Sequence, residues 1–106
     1  MKYCDAVVGN SSSGLTEAPS LKKGTINIGD RQRGRLRAAS VIDCEPRAEA
    51  IGAALRRLYS APFQAELART VNPYGEGGAS DKIVATLRTV SLGGILKKRF
   101  HDLCPA

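Results

Sequence analysis

The chain has 106 residues, of which 42% are hydrophobic and 25% charged, and its formal net charge is +6. That length allows one small domain of ordinary globular composition, and no apolar stretch long enough to span a bilayer as a helix is present. The excess of Lys and Arg favours an anionic partner (nucleic acid, an acidic membrane surface or a phosphorylated small molecule) without choosing among them.

Met1 to Asp5 lacks the long apolar core of a secretory signal, and a cytoplasmic protein is expected. Ala6-Val7-Val8 reads as a short buried strand. Gly9-Asn10-Ser11-Ser12-Ser13-Gly14 follows, and Ser13 to Leu21 reads as a helix that Pro19 bends or shortens by removing a donor. Strand, turn of small residues and helix start together make a phosphate cradle. Amides at a helix start have no intrahelical acceptor, and the serine hydroxyls add donors. Thr25 to Ile28 reads as a second strand, Gly29 to Arg37 as a loop, and Ala39 to Asp43 as a third strand.

Pro46 suits the first turn of a helix running to about Tyr59, with Ile51, Leu55 and Leu58 on one face. Ser60-Ala61-Pro62 reads as a cap and restart, leading into a helix that carries Phe63, Leu67 and Val71. Asn72-Pro73-Tyr74-Gly75-Glu76-Gly77-Gly78 is a turn-rich break. A further helix from about Ser80 aligns Ile83, Leu87 and Val90, and the tail suits one more through Leu96, Phe100 and Leu103. Its Lys97-Lys98-Arg99 reads as a solvated helix end rather than a membrane contact. Two segments are expected: residues 1–90 as the α/β domain and 91–106 as a basic amphipathic tail.

Strands alternating with helices predict a parallel sheet with flanking helices. Ligands bind such sheets beyond the carboxyl ends of the strands, where both the serine loop and the arginine loop fall. Gly9 and Gly14 have P-loop spacing, but Leu15 stands where that motif needs lysine. Ser13 breaks the G-x-S-x-G elbow, and the dinucleotide fingerprint is absent. Two readings remain: a site that holds phosphate without acting on it, and an ordinary capped turn. Glu17 suits the hydroxyls of a ribose better than the phosphate, which would repel it. Arg31, Arg33, Arg35 and Arg37 alternate, so an extended loop would aim all four one way, and guanidinium matches phosphate bidentately, although plain solvent exposure is expected for three of the four. With aromatics at 5% and none among these arginines, stacking on nucleic acid is poorly supported. Cys4 and Cys44 read as core filler. The odd count of three cysteines and the lone His101 argue against a disulfide framework or a metal site, and no cofactor is expected.

Three stretches in order, Gly9 to Ser20, Thr25 to Arg35 and Asn72 to Ile83, make residues 3–90 resemble the carboxyl-terminal part of UDP-N-acetylglucosamine 2-epimerases, most closely the hydrolysing branch of sialic acid synthesis. The resemblance implies a partial Rossmann-like sheet, part of the carboxyl-terminal domain of a glycosyltransferase-B-type fold, with UDP or a UDP-sugar as ligand. It implies that Ser11 and Ser12 hold the diphosphate, with Ser13 and Gly14 of the same loop contributing backbone donors. Glu17 then holds the ribose, and Arg31 lies in the UDP site. Family members are several times longer and carry their acid and base residues elsewhere. The chain is therefore expected to be an excised piece, with no catalytic residue of its own, inactive alone, and prone to self-association through an open sheet edge or bare helix faces. A non-hydrolysing relative, or a small basic module for nucleic acid or an acidic protein, is the alternative.

Overall fold

The computed structural model describes residues 1–97. The expected helix through Phe100 and Leu103, together with His101 and Cys104, lies outside the described residues. The chain divides into two units, Met1–Glu76 and Gly77–Ala106.

The first unit is α/β, as the alternation of elements predicts. Its elements are β1 (Ala6–Gly9), α1 (Ser13–Thr16), a 3-10 turn (Ala18–Leu21), β2 (Gly24–Ile28), β3 (Val41–Cys44), α2 (Ala48–Leu58) and α3 (Ala61–Arg69). The sheet is parallel in the order β1-β2-β3, with Val8 opposite Ile26 and Ile26 opposite Ile42. A central strand of a covered parallel sheet needs apolar, β-branched residues on both faces. β2 has them on one face, with Ile26 and Ile28, while the other face carries Thr25 and Asn27; Gly24 to Asn27 are all buried.

Alternation along β2 sorts the two faces. Ile26 joins Ile42, Ala54 and Leu58 of α2, and Phe63 and Leu67 of α3, in one apolar core. Thr25 points the other way and donates its hydroxyl to the Gly14 carbonyl of α1, 2.8 Å away. α2 keeps Glu49 in its first turn and Arg56 and Arg57 in its last, the sense its dipole favours. α3 starts as its sequence predicts, with Ser60 Oγ accepting from the Phe63 amide at 3.4 Å and Pro62 in the first turn.

Several expectations change in detail. β1 is an edge strand and not a buried one: Val8 is 51% exposed because the helical layer covers its register partner Ile26 and stops short of it. The helix expected over Ser13 to Leu21 is one α-turn followed by a 3-10 turn. Pro19 has no N–H to give the Leu15 carbonyl, so the α-ladder ends there. β3 starts at Val41, since Ala39 still belongs to the preceding turn. On α2 the buried stripe runs through Ala54 and Leu58, with Leu55 exposed beside it. α3 ends at Arg69, which leaves Val71 outside the helix and exposed. Cys4 is exposed and not core filler, and Cys44 is half-buried.

In the second unit, α4 (Ala79–Thr89) begins after Gly78 and buries none of its residues. Its Ile83 and Leu87, with Val90 just beyond the helix, are exposed. No helix among the described residues is long and apolar enough to cross a membrane.

Candidate nucleotide-binding site

Parallel pairing decides where the chemistry collects. Gly9, the last residue of β1, lies opposite Asn27 near the end of β2. The serine loop and the arginine loop therefore leave the sheet side by side at its carboxyl edge, where parallel sheets place their ligands.

The serine loop turns tightly. Gly9 has φ +144, a conformation that residues with a Cβ rarely adopt. Ser11 and Ser12 are exposed and Ser13 is partly so. The Ser11 and Ser13 hydroxyls lie 3.1 Å apart. The Ser13 amide donates to Ser11 Oγ at 3.4 Å, and the Gly14 amide to the Ser11 carbonyl at 3.3 Å. Both bonds are long enough to be weak. Gly14 has a packing role as well: it is buried, and a Cβ there would sit 2.5 Å from Thr25 Cγ2. α1 can approach β2 this closely only through glycine. Glu17 closes α1, with its amide donating to the Ser13 carbonyl at 2.9 Å and its side chain exposed.

The arginine loop is not extended. Residues 31–34 form turns, with the Arg33 amide donating to the Asp30 carbonyl at 2.8 Å, so the alternating arginines do not share one face. Arg37 is a structural residue. Its Nε pairs with Asp43 Oδ2 at 2.9 Å, and its guanidinium also donates to the carbonyls of Arg35 and Gln32, each at 3.2 Å. Asn27 Nδ2 donates to Asp43 Oδ1 at 2.6 Å, so this carboxylate is engaged from both sides. Arg31 is exposed and has no ion pair among the described residues.

Sequence reasoning did not single out Gln32. It is 3% exposed and reaches back across the site, with Nε2 donating to the Asn10 carbonyl at 2.6 Å. Its one signal was an amide among alternating guanidiniums, which says nothing about direction. Asn72 and Tyr74, read from the sequence as turn residues within one of the family-like stretches and given no role there, strap the two loops from outside. Asn72 Nδ2 donates to the Thr16 carbonyl at 2.9 Å and to Ser20 Oγ at 2.7 Å, and Tyr74 Oη donates to the Leu36 carbonyl at 3.1 Å. Lys22 Nζ adds a bond to the Thr70 carbonyl.

An open cleft of about 580 Å³ lies one strand over, beyond β2 and β3, lined by Asp30, Arg33, Arg37, Asp43 and Glu45 among others. Its three carboxylates offset its two guanidiniums, which makes it a poor anion site beside the serine loop. Cys44 also lines it. Burial, with help from the Asp43 and Glu45 charges, raises the pKa of that thiol. Among the described residues no group of three or more His, Cys, Asp or Glu is placed to hold a metal ion.

The sequence profile described as UDP-N-acetylglucosamine 2-epimerase matches residues 1–88. The chain is similar to a GDP/UDP-N,N'-diacetylbacillosamine 2-epimerase (hydrolyzing) of Campylobacter jejuni, 45% identical over 104 residues that make up 97% of this chain and 27% of the relative. It is similar to the polysialic acid biosynthesis protein P7 of Escherichia coli, 49% identical over 70% of this chain and 19% of that protein. A UDP-N,N'-diacetylbacillosamine 2-epimerase (hydrolyzing) of Legionella pneumophila is 36% identical over 83% of this chain and 22% of its own length. The chain thus spans about a quarter or less of each of these relatives.

Proposed function

The chain belongs to the UDP-N-acetylglucosamine 2-epimerase family, and from that membership we propose that it supplies the UDP-holding part of a hydrolysing UDP-sugar 2-epimerase. The observation that carries this reading is the β1–β2 register, which brings a loop rich in hydroxyls beside a loop with an uncommitted guanidinium. Ser11 and Ser12 hold the diphosphate through their hydroxyls, joined by donors of Ser13 and Gly14. Arg31 adds the positive charge. Glu17, set off from the serines at the end of α1, accepts from the ribose hydroxyls. No metal or cofactor takes part in this scheme.

In the whole enzyme, UDP is the leaving group. The reaction eliminates UDP from a UDP-linked N-acetylated amino sugar and adds water to the resulting unsaturated sugar, in the manner that converts UDP-N-acetylglucosamine to N-acetylmannosamine. Two relatives named as hydrolysing enzymes favour this course over the non-hydrolysing one. The groups of this chain stabilise charge on the departing diphosphate, which is electrostatic assistance rather than proton transfer. The chain alone therefore binds UDP without turnover. It acts in the cytoplasm, where sugar nucleotides are available, and binds neither membrane nor nucleic acid specifically. Left by itself it associates with further copies through the open β1 edge.

Calorimetric titration of the 106-residue chain tests the site. UDP binds, and Ser11→Ala and Arg31→Ala each weaken it by roughly 1–3 kcal/mol, the range for hydrogen bonds to a charged group. Filter binding to DNA or RNA that UDP does not displace, with no heat of UDP binding, would favour the basic-module alternative.

A further inference from the structure

Gln32 carries an arrangement that the roles above leave unexplained. Its side chain is almost wholly buried, yet only one half of the amide is satisfied: Nε2 donates to the Asn10 carbonyl, while Oε1 has no partner. Turning the amide over would not help, since Oε1 would then face another acceptor, so the Asn10 carbonyl fixes its orientation. Burying a half-satisfied amide is destabilising, and such groups call for an explanation. The geometry offers one. Among the described residues, this is the one hydrogen bond that joins the serine loop directly to the arginine loop. Its far end is anchored as well, because the Gln32 carbonyl accepts from Arg37 Nη2, and Arg37 is clamped by Asp43. A chain of bonds therefore runs from β3 through Arg37 and Gln32 to Asn10, next to Ser11.

We propose that Gln32 is the positioning residue that sets the serine loop at a fixed distance from the arginine loop, so that one diphosphate is gripped by both loops at once. The proposal rests on the UDP reading of the site. Gln32 does not itself touch the ligand. It removes the freedom of two surface loops that would otherwise have to be ordered on binding.

The consequence is selective. A ligand long enough to bridge both loops depends on their spacing, whereas a single phosphate needs only one of them. The test compares UDP with inorganic phosphate by NMR titration, in the wild type and in Gln32→Met, which keeps the length of the side chain and removes the bond. UDP affinity is expected to fall at least tenfold, while phosphate affinity stays within about twofold. Gln32→Leu, which also removes the bond and adds no charge beside the anion site, is expected to give the same selective loss and serves if the methionine variant does not fold. If the wild type binds UDP and the variants bind both ligands as well as it does, the positioning role is wrong and the site stands. Parallel loss of both ligands would also overturn the proposal, since it marks a general structural role. If the wild type does not bind UDP, the site reading falls and takes this proposal with it.

Discussion

Gly14 has a packing role that the structure shows and a functional one that belongs to the proposed site. α1 needs glycine to lie against Thr25, and in the proposed site small residues let a phosphate come near. Gly14→Ala is expected to lower stability by about 1–3 kcal/mol, the usual penalty for overpacking a close contact, read as a fall in melting temperature. Adding Thr25→Ser removes the methyl that the new Cβ meets and keeps the hydroxyl that bonds the Gly14 carbonyl. The double variant should recover most of the loss; no recovery would mean that the contact is not the cause. At Cys44, burial and the neighbouring carboxylates raise the thiol's pKa, and the reactive form of a cysteine is its thiolate. Peptide mapping after brief alkylation at pH 8 is expected to find exposed Cys4 modified before Cys44. The reverse order would contradict the burial of that thiol. Ser11 and Glu17 stand out in the sequence as a hydroxyl and a carboxylate at a helix start, and Arg31 only through the family resemblance; their place in one UDP site belongs to the proposal. Arg31, Arg33 and Arg35 are exposed, as expected for three of the four arginines, whereas the pairing of Arg37 with Asp43 on β3 was not legible. A partner so distant leaves no local pattern.

Among the elements, the edge strand carries the clearest consequence. Among the described residues β1 pairs with β2 alone, and Val8 is half uncovered on the core side of the sheet. An unpaired edge with exposed apolar residues is a template for further pairing. Light scattering is expected to show association that grows with concentration, reduced by Val8→Lys. A monomer at every concentration would argue against an open edge. The strands and the helices over 48–69 followed from periodicity and punctuation, since β-branched runs, Ser60 and Pro62 act locally. Burial of β1 did not follow. An apolar tripeptide reads alike at the edge and in the centre of a sheet, and only the pairing order tells them apart. α4 makes the same point in the second unit: its apolar stripe forms at the expected spacing and stays exposed.

For the whole molecule, three parallel strands bring two short loops together at one edge of the sheet. The central claim is that residues 9–17 and 29–33, far apart along the chain, act as one site for UDP. Backbone NMR of the 106-residue chain during UDP titration tests it most directly. Both segments are expected to shift together with a single dissociation constant, and Arg31→Ala should weaken the response of the serine loop as much as that of its own loop. Shifts confined to one segment, different constants for the two, or no shift around residues 9–17 would contradict the account.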